Sequence, residues 1–305
     1  MTHRSLILGA NGQDGQIMVN LLLLRGHEVW GLGRQSSHCQ EINTEKFNYI
    51  QIDLADQDLF KLILEKIRPT NIIHLAAIHG SSQNNTYEPF FSKMLDVNVK
   101  TVHSILEYQR SNPNSQLIYA SSGKVYGSPL PKLVSEKTTK KALCLYGISK
   151  ISAGNLIEYY RNNYKIKASI YYLFNHESNL RTQDFFISKV AVTLKKSIED
   201  RSYKTEFHSL NFYCDWGSAS EYMLLMLNAA ESKPKLDMII ASGKTIYARK
   251  LVAELFNKNG LDFKNHITEK FQIENPHFFQ VDISRLTKIV GSPKIEITEV
   301  VKGMI

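Results

Sequence analysis

The chain has 305 residues, 43% of them hydrophobic, and carries 37 Lys and Arg against 29 Asp and Glu, a net charge of +8. The hydrophobic content is enough for a large core or two coupled lobes. The basic residues are scattered, with no long basic run and no interleaved aromatic array, which argues against nucleic acid and for small anionic ligands. No apolar stretch is long enough to span a membrane. Cys39, Cys144 and Cys214 are odd in number and lack metal-ligand spacing. They read as free thiols in a reducing, cytoplasmic compartment, with no metal site expected. The chain runs straight into a predicted strand, so no signal peptide is expected.

Residues 5–8 form a short apolar run that predicts a buried strand. Gly9-Ala10-Asn11-Gly12-Gln13-Asp14-Gly15 follows at once, and an apolar helix is predicted from about 17 to 24. Strand, glycine turn and helix N-terminus together make a phosphate cradle: glycines let the backbone approach a pyrophosphate, and free N–H groups point at it. The spacing is G-x-x-G-x-x-G, a variant of the usual dinucleotide fingerprint. A second strand is predicted over 28–32. At its end an NAD site usually places an acid against the ribose 2′-hydroxyl. Here Gly33, Arg34, Gln35, Ser36 and Ser37 follow. No carboxylate is present to repel a 2′-phosphate, and Arg34 can pair with one bidentately. NADP is therefore expected rather than NAD.

Strands are next predicted over 49–52, 71–75, 116–120 and 167–173. Helices are predicted over 56–67, within 90–110 and over 146–163. Strict β–α alternation predicts an α/β fold, a Rossmann-type doubly wound parallel sheet with right-handed crossovers. Ligands in such folds sit beyond the carboxyl ends of the strands. Gly9, Asp53, Ala76, Ser122 and Asn175 all follow predicted strands and share that rim.

The strand at 116–120 delivers Ser121-Ser122-Gly123-Lys124-Val125-Tyr126-Gly127, and Tyr146-Gly147-Ile148-Ser149-Lys150 opens a helix. Residues four apart share a helix face, so Lys150 can stand beside the Tyr146 phenol. A neighbouring ammonium is expected to lower the tyrosine pKa. A tyrosine tuned that way exchanges a proton with a substrate hydroxyl while hydride leaves the carbinol carbon. Ser122, Tyr146 and Lys150 are thus the predicted catalytic residues. A regulator that only binds NADP would have no need of all three.

Nearly the whole chain resembles the extended short-chain dehydrogenase/reductases that modify nucleotide sugars. The resemblance is closest to the GDP-mannose 4,6-dehydratases. It is carried by the 9–15 segment with Gln16, by Arg34-Gln35-Ser36-Ser37 and by Leu173-Phe174-Asn175-His176-Glu177-Ser178. Asp215-Trp216-Gly217 and Ile239-Ile240-Ala241-Ser242-Gly243-Lys244 add to it. By this resemblance Asp53 and Leu54 lie by the adenine, and Leu75, Ala76 and Ala77 line the cofactor cleft. Tyr146, Lys150, His176 and Arg181 match further cofactor positions, and Asn175 and Lys189 match positions near the sugar nucleotide. The resemblance also implies a homodimer or homotetramer. The NADP-binding domain is expected over 1–172 plus about 212–241. The substrate lobe, smaller and mixed α/β, is expected over about 173–211 plus 242–305.

One residue departs from the resembled pattern. A 4,6-dehydratase oxidises C4, removes the C5 proton, expels the C6 hydroxyl as water and returns hydride to C6. In the resembled family a Thr, with a Glu two positions later, serves that site. Here the Thr position is Ser122 and the Glu position is Lys124. An ammonium has no lone pair with which to take a proton. Lys124 is instead a candidate for binding a substrate phosphate or carboxylate. Reduction of a 4-keto sugar by NADPH therefore ranks first, 4,6-dehydration second and C4 epimerisation third. Cys214 stands where the family usually has an arginine before Asp-Trp, which leaves the guanine contacts unassigned.

Overall fold

The structure is a computed structural model that describes residues 3–79, 87–271 and 274–305. In chain order the first half comprises β1 (Arg4–Leu8), α1 (Gln13–Leu24), β2 (Glu28–Gly33), β3 (Phe47–Gln51), α2 (Gln57–Ile67), β4 (Asn71–His74), α3 (Phe91–Leu95), α4 (Thr101–Ser111), β5 (Gln116–Ser122), β6 (Leu133–Val134), α5 (Leu145–Tyr164) and β7 (Lys167–Leu173). Then come β8 (Asn175–Glu177), α6 (Phe186–Glu199), β9 (Thr205–Phe207), β10 (Tyr213–Ser218), α7 (Ala219–Ser232), β11 (Met238–Ile240), β12 (Thr245–Tyr247) and α8 (Ala248–Asn257). The chain finishes with β13 (Ile267–Glu269), β14 (Gln280–Val281), α9 (Ser284–Val290) and α10 (Ile297–Lys302).

Seven strands form one sheet in the order β11-β7-β5-β4-β1-β2-β3, and every pairing within it is parallel. Side chains alternate across a strand, so each strand feeds both faces. Leu6 and Leu8, Ile72, Leu117 and Tyr119, and Ile170 and Tyr172 enter one buried cluster with α2, α4 and α5. Ile7, Ile73, Ile118 and Tyr171 enter the other, under α1, α7 and α9. Burial on both faces explains why these strands read as continuous apolar runs. The doubly wound fold expected from the alternation is the one observed.

A third cluster lies apart from the large sheet. Ile187, Val190 and Leu194 of α6, Leu251 and Phe256 of α8, and Val301 of α10 pack around Trp216. Phe186 stacks on the Trp216 ring, with centroids 5.6 Å apart. β10 pairs with β8 and β12 in a separate three-stranded sheet. Within the expected return segment of about 212–241, α7 and β11 therefore pack on the large sheet, while β10 belongs to the small one. α9, beyond 241, also lies on the large sheet. Among the described residues no helix is long and apolar enough to cross a membrane.

Two helices differ from their predicted spans, and both differences shape the site. α1 starts at Gln13, directly after the glycine turn, so its N-terminus stands at the rim. The helix expected within 90–110 is interrupted by a wide turn over 96–100. There Asn98 takes the backbone N–H of Ile78 (3.0 Å) and donates to the Ile78 carbonyl and the Ser149 hydroxyl. That side chain ties the end of β4 to α5.

The glycine turn leaves no room for side chains. A Cβ on Gly15 would lie 2.1 Å from the Gly9 carbonyl oxygen, and one on Gly9 would lie 2.8 Å from the Ala76 nitrogen at φ +88. Gly15→Ala should therefore lower stability by about 1–3 kcal/mol, the usual range for overpacking. Thermal denaturation checks this.

Candidate active site

The carboxyl ends of the large sheet open into a cleft of about 430 Å³. It is lined by Gly9, Asn11, Gly12, Gln13, Asp14 and Gly15 from the turn, Arg34 and Gln35 after β2, and Asp53 and Leu54 after β3. Leu75, Ala76 and Ala77 after β4, Ser122 and Lys124 after β5, Tyr146 and Lys150 on α5, and Asn175, His176 and Arg181 complete the predicted set there. Three predicted residues do not line it. Ser36 and Ser37 are exposed beyond the rim, where the Ser37 carbonyl accepts from the Asn11 amide at 2.9 Å. Lys189 is held inside the second lobe: its Nζ donates to the Glu206 carbonyl at 2.6 Å and lies over the Phe207 ring.

Asp14 and His176 are joined to each other. His176 Nε2 lies 3.0 Å from both Asp14 carboxylate oxygens, and its Nδ1 lies 2.6 Å from the Phe174 carbonyl. Both ring nitrogens face acceptors, so the ring satisfies both only as the imidazolium. Burial opposes both charges. The carboxylate nevertheless holds His176 above the ordinary histidine value, and the imidazolium brings Asp14 down to about 2. Gln13 adds hydrogen bonds to Asp14 (3.1 Å) and to the His176 carbonyl (3.3 Å), and the Ser178 hydroxyl donates to Gln13. The glycine turn and the Asn175–Ser178 segment are thereby knitted across 162 residues of chain.

Arg34 is exposed at the end of β2, where its backbone carbonyl takes the Gln51 amide. Asp53 is paired with Lys93 of α3 at 2.8 Å, and that ion pair, chiefly the lysine's hydrogen bond, holds the carboxyl below its ordinary value. Lys93 was missed by sequence reasoning, as were His79 and Phe185, which also line the cleft. Lys93 sits 40 positions from its partner, and no local pattern marks it. His79 lies two residues past the predicted Ala76-Ala77 pair.

At the other end of the cleft, the Ser122 hydroxyl accepts the Lys124 backbone N–H at 3.2 Å and lies close enough to the Tyr146 phenol to favour its ionised form. The Tyr146 pKa differs from the sequence expectation. Burial raises it well above the ordinary value, and the nearby Ser122 hydroxyl only partly offsets that rise. Lys150 does not supply the expected compensation. Its Nζ donates to the Ala120 carbonyl at 2.7 Å and lies 5.7 Å from the Tyr146 ring centre. Burial also brings the Lys150 ammonium down to about 7, so its charge is itself weakened near neutrality. The i,i+4 spacing holds, but burial of both groups reverses its electrostatic consequence.

Lys124 is exposed at the cleft edge. It faces the Cys214 thiol, whose pKa burial pushes well up, and the Asn175 amide donates to that sulfur at 3.1 Å. Arg181 lies flat on the Phe185 ring at 3.4 Å, with its Nε 3.6 Å from the Glu177 carboxylate. Glu177 is 2% exposed, and burial pushes its carboxyl up to about 7.

In fold, the chain is similar to solved structures of the NAD-dependent epimerase/dehydratase superfamily. The UDP-glucose 4-epimerase of Thermotoga maritima with UDP-glucose matches at TM-score 0.83 and 19% identity, over 99% of this chain and 97% of that one. The dTDP-glucose 4,6-dehydratase of Bacillus anthracis in complex with NAD matches at TM-score 0.83 and 16% identity, over 99% and 96%. The family model for GDP-mannose 4,6 dehydratase matches residues 6–288, and the chain belongs to that family of nucleotide-sugar-modifying enzymes. The GDP-mannose 4,6 dehydratase 1 of Arabidopsis thaliana is 25% identical, covering 99% of this chain and 88% of its own length. The GDP-mannose 4,6-dehydratase of Yersinia enterocolitica is 27% identical, covering 86% and 73%.

The buried Glu177 carboxyl gives a pH prediction. Its ordinary value is 4.5 and its folded value is about 7. The native state therefore binds the extra proton between those values, and that part of the stability is lost as pH rises through the window. Glu177→Gln should match the unaltered protein most closely below about pH 4.5 and gain on it steadily up to about pH 7. Melting curves across that range check the trend; a gap independent of pH would mean the carboxylate stays ionised against Arg181.

Proposed function

We propose that this protein is an NADP-dependent enzyme that oxidises C4 of a GDP-linked hexose and eliminates water across C5 and C6, the net 4,6-dehydration. The observation that carries the C4 chemistry is that Ser122 and Tyr146 line one cleft on the same rim as the glycine cradle. Family membership supports dehydration over the reduction that the sequence alone ranked first, since the relatives are named GDP-mannose 4,6-dehydratases. The nucleotide and nucleotide sugar named with the solved neighbours support the same two classes of ligand here.

The residues fit a dinucleotide. Side chains are excluded at Gly9 and Gly15, where backbone must approach the pyrophosphate closely. Asp53 and Leu54 would border the adenine, Arg34 would pair with the 2′-phosphate, and Lys150 would hold the ribose next to the nicotinamide. When bound, the cofactor supplies the hydride acceptor for C4 and the donor for C6. Ser122 orients the C4 hydroxyl, and Tyr146 takes its proton. Burial disfavours the phenolate, so that transfer requires an electrostatic change on ligand binding, which a positively charged nicotinamide would provide.

Lys124 favours a second reading, reduction of a 4-keto sugar with Tyr146 donating the proton, because an ammonium in that place offers no base for C5. The two reactions separate cleanly. With GDP-mannose and no added reductant, the dehydratase reading expects a product lighter by one water. If instead the protein oxidises NADPH only when given the 4-keto-6-deoxy sugar, reduction takes its place. Tyr146→Phe should slow turnover on the order of 1000-fold while cofactor binding persists. Arg34→Ala should weaken NADP binding by about 10- to 100-fold and leave NAD nearly unchanged; equal losses would remove the 2′-phosphate assignment.

A further inference from the structure

We infer that Tyr49 and Asn11 are positioning residues for the cofactor's 2′-phosphate: they fix the loop that carries Arg34 and fill the place where an NAD site keeps its acid. The inference rests on the NADP reading above.

Two neighbouring strands set the space. β2 and β3 pair with Gly31 opposite Tyr49 and Gly33 opposite Gln51. Gly33 lies two residues beyond Gly31, so a side chain there would share a face with Tyr49. A Cβ on Gly33 would overlap the Tyr49 hydroxyl. The phenol therefore occupies the room that a carboxylate at the end of β2 would need in order to reach a ribose. Burial raises the Tyr49 pKa, and Cys39 adds to the rise, so the phenol brings no negative charge. A neutral hydroxyl in place of an acid removes the repulsion that a 2′-phosphate would meet there.

The same two side chains tie down the loop. Arg34, Gln35, Ser36 and Ser37 are exposed, so hydrogen bonds rather than packing hold these four residues. The Tyr49 hydroxyl donates to the Gln35 carbonyl at 3.1 Å. Asn11 Nδ2 faces three acceptors: the Ser37 carbonyl at 2.9 Å, Gln35 Oε1 at 3.2 Å and the Tyr49 hydroxyl at 3.3 Å. Its Oδ1 accepts the Cys39 backbone N–H at 3.1 Å, which fixes the way the amide is turned. The Asn11 backbone carbonyl in turn accepts from the Gln16 side chain on α1 at 3.0 Å. One asparagine thus joins the glycine turn to the loop from Gln35 to Cys39. An arginine borne on a backbone held this way loses less freedom when its planar fork pairs with a phosphate.

Paired affinities separate this role from general support of the fold. NADP and NAD differ only at the 2′-phosphate, so each variant is titrated with both by calorimetry, and its melting temperature is recorded. Tyr49→Phe keeps the ring and removes the hydroxyl, and Asn11→Ala removes the amide. Each should weaken NADP binding about 10-fold and lower the preference for NADP over NAD by nearly the same factor. Equal losses of NADP and NAD overturn the inference, because the two side chains would then serve only the fold, and so does an unchanged affinity for NADP. Tyr49→Phe decides if the two variants disagree or if Asn11→Ala does not fold. If Arg34→Ala abolishes the preference while Tyr49→Phe and Asn11→Ala retain it, the 2′-phosphate reading stands and this inference falls. If the unaltered protein binds NAD as tightly as NADP, the NADP reading falls and the inference falls with it.

Discussion

Parallel register is the constraint on which the site depends. Leu8 pairs with His74 and His74 with Tyr119, so β1 and β4 end together, while β5 and β7 run three residues further and end together at Ser122 and Leu173. The segments that leave those ends are Gly9–Gly15, Leu75–His79, Ser122–Lys124 and Asn175–Arg181. They are far apart in sequence and have no intrinsic tendency to meet. These central strands, largely buried, bring the segments to one rim, because their packed side chains fix the register of the pairing.

Charge distribution then divides the cleft. At the turn, Asp14 and His176 neutralise each other through two hydrogen bonds, and the pair joins two polar segments that would otherwise carry desolvation penalties. Deeper, Lys150 and Tyr146 are both held toward their neutral forms by burial. A site that suppresses both charges at rest responds strongly to any charge brought in by a ligand, since buried groups are weakly screened. Glu177 adds a third buried group near its titration point, one position beyond His176.

The end of the cleft opposite the glycine turn gathers four side chains of different chemistry. Lys124 and Cys214 face each other beside Asn175. The His79 ring lies edge-on to the Tyr146 ring in the same cleft. In the proposed reaction, Ser122 and Tyr146 serve C4, and both line the cleft beside the glycine cradle. Chemistry at C5 and C6 requires one more proton-transfer group, and its identity distinguishes a dehydratase from a reductase built on the same cleft.

The sheet, its alternating helices, the glycine cradle and the serine, tyrosine and lysine of the site were all legible in the chain, because each is written in local spacing: apolar runs, glycines three apart, and a tyrosine four residues from a lysine. Twenty of the twenty-three predicted site residues do line the cleft. Contacts over long separations were not legible. Lys93 against Asp53, Asn98 between Ile78 and Ser149, and Lys189 turned into the second lobe rather than the cleft are set by how whole elements pack. The acidity of Tyr146 belongs to the same class. Spacing placed the lysine one turn away, but the tyrosine's proton affinity follows from the desolvation of both side chains and from where the Lys150 hydrogen bond points, and those quantities exist only once the chain has closed around them.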